Sequence, residues 1–177
     1  MEITRIRMLR GPNLWSRHTA LEAIVSCDET ERSIDSIPQF EIKIRERFPQ
    51  LGSMRRGGHN ETLSLAHALE HAALGLQSQA GCPVTFSRTV QTIDVGVYQV
   101  VVEYTEEVVG RMAFDFAFGL IQATLNDVPF DLAAALSELE ALYEDVRLGP
   151  STGSIVDAAV QRNIPYRRMT EGSMVQF

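Results

Sequence analysis

Two histidines and a glutamate lie close together in a segment with the composition of a helix. His67 and His71 are four residues apart, and Glu70 follows His67 by three. On an α-helix these spacings place the three side chains on one face, about one turn apart.

Two such imidazoles can share one Zn²⁺ or another divalent ion. A neighbouring carboxylate can take a proton from an activated water and later return it to a leaving group. This H-x-x-E-H pattern is the inverted zincin signature, and it predicts His67 and His71 as metal ligands and Glu70 as the catalytic base. The alternative is an exposed His-Glu-His face that binds no metal.

A catalytic zinc site commonly has three protein ligands and one open position. A glutamate on a later helix is the expected third ligand, with Glu107 the first candidate and Glu103 and Glu106 the alternatives. Glu107 could instead pair with Arg111 or stabilise the start of its helix. His59, just before the motif helix, is a further candidate.

Four arginines flank these elements. As a set around one pocket they would bind carboxylates through bidentate hydrogen bonds, although each could equally be a solvated or structural charge. The predicted substrate-binding residues are Arg55, Arg56, Arg88 and Arg111.

The composition limits the class of protein. The net charge of −7 argues against a nucleic-acid binder. The apolar run after Glu107 is interrupted by Arg111 and Asp115, so no membrane span is expected. The N-terminus lacks the basic and apolar regions of a signal peptide, and Cys27 and Cys82 form no spaced pair. A cytoplasmic protein is therefore expected.

Hydrophobic periodicity and breakers predict four strands and five helices. Asn60 is the expected N-cap of the motif helix, with Glu61 in its first turn. The interspersed order predicts an α+β domain, a mainly antiparallel sheet covered by helices. The predicted strands are residues 3–9, 21–27, 84–90 and 97–104, and the predicted helices are residues 40–48, 61–79, 106–125, 132–146 and 154–162.

Five stretches resemble, in the same order, the N-terminal domain of cyanophycin synthetases. The first, around Gly11-Pro12-Asn13, is similar to the "LRGPNYWS" start of that family. The stretches are residues 8–16, 66–77, 96–104, 106–111, and 148–152 together with 162–165.

The resemblance implies a domain that holds cyanophycin, a polymer of aspartate with arginine side chains. In some members of the family this domain also carries a metal-dependent hydrolytic site, which cuts the polymer into primers. Because this chain retains His67, Glu70 and His71, the resemblance places it with those members. The family continues into ATP-grasp and Mur-ligase-like domains, which are the expected partners, within a homo-oligomer. Residues 1–163 are then the N-terminal-type domain and residues 164–177 the start of the linker or ATP-grasp region. No phosphate-binding glycine-rich loop occurs, so no ATP site is expected in this chain.

Overall fold

Segments rich in valine, isoleucine and tyrosine form a four-stranded sheet in the computed structural model, which describes residues 1–52, 54, 62–170 and 172–177. The strands are β1 (Glu2–Leu9), β2 (Ala20–Ser26), β3 (Ser87–Gln91) and β4 (Val97–Glu103). Their spatial order is β1-β2-β4-β3, and every neighbouring pair is antiparallel. Near the C-terminus, β5 (Arg167–Arg168) pairs with β6 (Val175–Gln176).

Five α-helices accompany the sheet. They are α1 (Phe40–Arg47), α2 (Leu65–Gln79), α3 (Glu107–Leu125), α4 (Leu132–Val146) and α5 (Pro150–Gln161). Short 3-10 turns lie before and after α1. The predicted α+β class with a mainly antiparallel sheet is confirmed.

Side chains alternate between two faces of the sheet. On β4, Tyr98, Val100 and Val102 point into the hydrophobic core that the sheet shares with α2 and α3. Residues of the other parity, including Val101 and Glu103, lie on the outer face. The motif helix therefore covers the inner face only.

The alanine-rich α2 is the most enclosed helix of the domain. Its buried residues, which include Ala68, Leu69, Ala72 and Ala73, contact β3, β4 and α3. Alanine favours the helix intrinsically and its short side chain lets neighbouring elements approach closely. Burial of this apolar face, not helix propensity alone, holds α2 in place.

Two helix starts differ by four residues from the sequence prediction. The motif helix begins at Leu65 with Ser64 as N-cap, four residues later than expected. The carbonyl of the buried Leu63 accepts a hydrogen bond from Ile34 N (2.7 Å), so this backbone is committed to a tertiary contact before the helix begins. The expected cap and first-turn residues, Asn60 and Glu61, lie outside the described residues. Conversely, α5 begins at Pro150, since proline is tolerated in the first turn of a helix.

By length and composition alone, α3 could cross a membrane, with a mean hydropathy of 1.3. Half of its most apolar window is buried inside the domain, where the helix packs against α2. We therefore assign α3 to the hydrophobic core.

The crossing of α3 with the end of β4 depends on a glycine. A methyl group added at Gly110 would lie 2.5 Å from Cβ of Tyr104, whereas one added at Gly119 of the same helix would lie 3.5 Å from Cε2 of Phe130. We expect Gly110→Ala to lower the free energy of unfolding by about 1–3 kcal/mol through overpacking. Gly119→Ala is the control and should be neutral or stabilising, because alanine favours a helix over glycine. Denaturant unfolding followed by circular dichroism measures both. Equal stability of the two variants would contradict the close packing.

Candidate functional site

The start of α2 is held by a capping box in which a histidine takes the place of the usual glutamate. His67 N donates to the Ser64 side chain, and Ser64 N donates back to His67 Nδ1 at 3.2 Å. Ser64 Oγ also lies 2.9 Å from Nδ1. Because a backbone N–H can only donate, Nδ1 acts as an acceptor, and the neutral ring carries its proton on Nε2. His67 thus has a structural role at the helix end.

The three motif residues differ in exposure. Glu70 is 2% exposed, whereas His67 and His71 are partly exposed. The His67 ring lies edge-on to Tyr98, with 5.9 Å between ring centroids. A buried carboxylate beside two accessible imidazoles on one helix is an arrangement that proton-transfer chemistry can use.

These donors suit zinc in kind, since imidazole nitrogen and carboxylate oxygen are among its usual ligands. His67 and His71 lie about 6 Å apart along the helix axis. Among residues 1–52, 54, 62–170 and 172–177, however, no group of three or more His, Cys, Asp or Glu side chains is placed to hold a metal ion. The described residues therefore supply a two-histidine arrangement without a third protein ligand.

Glu107 lies at the other end of the fold from His67. His67 contacts Tyr98 near the start of β4, while Gln77, near the end of α2, donates to the carbonyl of Glu103 at the end of β4 (2.9 Å). Glu107 follows that end of the strand by four residues. Ten helical residues separate His67 from Gln77, which corresponds to about 15 Å. The structure does not bring Glu107 together with the histidines.

Glu107 instead forms a bidentate ion pair with Arg10, which follows β1. Arg10 Nε donates to Oε2 at 2.6 Å and Nη2 donates to Oε1 at 2.8 Å. These hydrogen bonds lower the pKa of the Glu107 carboxyl, against a smaller opposing effect of burial. The partner considered from sequence, Arg111, pairs with Asp115 at 3.3 Å.

The two alternative ligands are also occupied by other contacts. Glu103 Oε2 accepts from the backbone N–H groups of Thr85 (2.8 Å) and Phe86 (2.7 Å). Glu106 accepts from Arg168 Nη1 at 2.6 Å. Burial raises the pKa of Glu106, and Arg168 partly offsets that effect.

The predicted arginine set is not assembled around the motif. Arg88 on β3 pairs in register with Val101, so it lies on the outer face of the sheet, away from α2. Arg111 is exposed on α3. Arg55, Arg56 and the candidate ligand His59 lie outside the described residues.

A buried carboxylate on the outer face of the sheet is not predicted from the sequence pattern. Glu22 accepts from Arg7 Nε (2.6 Å), from Trp15 Nε1 (3.3 Å) and from the Gln99 amide. Burial raises its pKa, but the hydrogen bonds from Arg7 and Gln99 outweigh that effect and the net pKa is lowered. The only signal in the sequence was a charged residue inside the apolar segment that forms β2.

The Arg10–Glu107 pair predicts a pH dependence of stability. Because the folded-state pKa of Glu107 is below its unfolded value, near 4.5, its contribution is present above pH 4.5 and is lost as the pH falls through the folded-state pKa. We expect Glu107→Gln to lower the melting temperature at pH 7, and we expect this difference to shrink progressively as the pH falls below 4.5. Melting curves of both proteins from pH 3 to 7 measure this, and Glu46→Gln on the exposed face of α1 is the control. A difference that is unchanged at pH 3 would contradict the assignment.

Comparisons with known proteins cover the whole chain. A family model described as "Cyanophycin synthase-like N-terminal domain" matches residues 23–126. The chain is 35% identical over 192 aligned residues to the cyanophycin synthetases of Trichormus variabilis and Nostoc sp.. It is 34% identical over 196 aligned residues to that of Synechocystis sp..

In these three alignments all of this chain is matched, but it spans only about a fifth of each relative: 21% in the first two and 22% in the third. The matched part is the N-terminal part of those synthetases. The family match and the relatives agree with the resemblance found in the sequence. This chain belongs to the cyanophycin synthase-like N-terminal domain family.

Proposed function

We propose that this domain is a metal-dependent hydrolase of cyanophycin that works within a cyanophycin synthetase of the cytoplasm, and that its products are short chains used as primers. The observation that carries the proposal is the H-x-x-E-H pattern on α2, with Glu70 buried between two partly exposed histidines. Membership of the synthetase family supplies the polymer as substrate.

In this proposal His67 and His71 hold a Zn²⁺ ion. When bound, the ion supplies Lewis-acid polarisation of the scissile carbonyl and lowers the pKa of water. Glu70 accepts the proton of the attacking water and then delivers it to the leaving nitrogen as the amide C–N bond breaks.

His67 has to serve two purposes in such a site. A ring that binds metal through Nε2 must carry its proton on Nδ1. In the capping box Nδ1 accepts from Ser64 N, so metal binding through Nε2 requires that hydrogen bond to be given up. Ser64 Oγ, 2.9 Å away, can then accept from the Nδ1–H group.

A second candidate function is a non-catalytic domain that holds the polymer beside the synthetase sites. One observation favours it: His67 Nδ1 accepts from Ser64 N in the capping box of α2, so this histidine already has a structural role. The surface charges would then tether the polymer, and the His-Glu-His face would be structural. This function predicts binding without cleavage.

A digestion assay separates the two functions. The 177-residue chain, supplied with zinc, is incubated with cyanophycin, and polymer length is followed by gel electrophoresis with and without a chelator. We expect cleavage that the chelator abolishes, and a loss of about 10²- to 10⁴-fold in rate in Glu70→Gln, the range for removal of a general acid–base.

Glu46→Gln on the exposed face of α1 is the matched control and should cut at the rate of the unmodified protein. His67→Ala and His71→Ala should each lose zinc, as measured by elemental analysis. Intact polymer in the presence of zinc, or equal rates for Glu70→Gln and the unmodified protein, would refute the hydrolase and leave the binding function.

A further inference from the structure

A cavity of about 350 Å³ lies far from the histidine motif, between the end of β4 and the C-terminal part of the chain. Its walls come from the loop before β2, from the residues that follow β4, from α5 and from residues 163–166. A volume of this size suits a small molecule or one or two residues of a polymer.

Glu103 forms the acidic end of the cavity. The residue is 6% exposed, and its Oε2 atom is held by the N–H groups of Thr85 and Phe86. Within the described part of the chain no hydrogen bond reaches Oε1, and the imidazole Nδ1 of His18 lies 3.9 Å from it. A carboxylate fixed at one oxygen and largely withdrawn from water at the other favours a cationic hydrogen-bond donor.

A second carboxylate and an aromatic ring line the same cavity. Asp157 belongs to α5 and is exposed, and Tyr166 follows that helix. Burial raises the pKa of Tyr166, with a smaller contribution from the negative charges of Glu106 and Asp157. Two carboxylates beside a tyrosine ring form the environment in which a planar guanidinium is bound by paired hydrogen bonds and by stacking.

The rest of the lining suits the other parts of an arginine residue. Val156 and Val160 present apolar surface that can pack against the methylene groups of the side chain. Arg17, which is exposed, and His18 lie in the loop before β2 and also line the cavity. Arg17 offers two parallel N–H donors to a carboxylate.

From these observations we infer that the cavity is a binding site for an arginine residue with a free carboxylate. The guanidinium pairs with Glu103 and Asp157, and the carboxylate pairs with Arg17. The inference rests on the proposed function only for the source of the arginine, since the family resemblance implies a polymer with arginine side chains. The site would then hold polymer at a distance from α2.

Its position makes it separate from the hydrolytic motif. Glu103 and Tyr98 are five residues apart on β4, which corresponds to about 17 Å of extended strand. Their side chains also point to opposite faces of the sheet. Binding in the cavity can therefore be tested without disturbing the residues of the proposed hydrolase.

Calorimetric titration of the 177-residue chain with four ligands tests the inference. We expect L-arginine and the β-aspartyl-arginine dipeptide to bind. L-citrulline, which lacks the positive charge, should bind at least about tenfold more weakly. Agmatine, which lacks the carboxylate, should also bind more weakly, and Arg17→Gln should not weaken its binding further.

Two acidic variants test the assignment of the guanidinium partners. Glu103→Gln keeps an oxygen acceptor for the two backbone N–H groups and removes the charge, and Asp157→Asn changes an exposed residue. Each should weaken arginine binding by about tenfold or more, while Glu140→Gln on the exposed face of α4 should not. Melting curves verify that the variants are folded.

Several outcomes would overturn the inference: no binding of arginine, equal binding of citrulline, or unchanged affinity in both Glu103→Gln and Asp157→Asn. Binding of free arginine but not of the dipeptide would overturn the assignment to polymer. Cleavage of cyanophycin without arginine binding would refute the cavity site alone. Arginine binding that persists in Glu70→Gln, with no cleavage by any variant, would refute the hydrolase alone.

Discussion

The alignment of α2 with β4 is the constraint on which the rest of the domain depends. The helix and the strand run in the same direction: the His67 ring meets Tyr98 at one end, and the Gln77 amide meets the carbonyl of Glu103 at the other. The buried alanines of α2 allow this close contact, and Gly110 lets α3 pack against Tyr104 where the strand ends. Because both elements are rigid, the two ends of β4 are kept apart. The His67 ring lies near the start of the strand, and the Glu103 carboxylate lies at its end.

Buried carboxylates hold the outer face of the sheet together. Glu22 joins β1, β2 and β4 by accepting from Arg7, Trp15 and Gln99. Glu103 joins β4 to the segment before β3 through two backbone N–H groups. A buried charge is tolerated only when donors compensate for the loss of water. Both residues therefore stabilise the sheet as long as their partners stay in place, and among the described residues no hydrogen bond reaches the second carboxylate oxygen of Glu103.

Short-range patterns in the sequence predicted most of the helices and strands. The bounds that they did not predict depend on contacts between residues distant in sequence. The alternation of β1 and the valine-rich β4 follow from side-chain periodicity, and α4 was predicted with its observed bounds. The start of α2 was predicted four residues early, because the Leu63–Ile34 hydrogen bond that delays it joins residues distant in sequence. Periodicity carries no information about such contacts.

In the candidate site too, local spacing was predicted from the sequence and long-range contacts were not. The spacing of His67, Glu70 and His71 fixes them on one helix face, so this part of the site follows from local geometry. Glu107 was chosen because it opens the next long helix, but a helix can pack with either end beside a motif. The Arg10 pair, 97 residues away in sequence, shows where Glu107 lies. Arg88 was equally ambiguous, because only the register with β4 assigns it to the outer face.

Metal binding by His67 through Nε2 would cost part of the capping box at the start of α2. Ser64 and His67 stabilise the first turn of α2 through two reciprocal hydrogen bonds, and an N-cap interaction contributes about 1 kcal/mol to a helix. A metal ion at Nε2 would reverse the role of Nδ1 from acceptor to donor and remove one of those bonds. A loss of about 1 kcal/mol corresponds to less than about tenfold in affinity. In the proposed hydrolase the cap would therefore not prevent metal binding; it would couple that binding to the conformation of the first turn of α2.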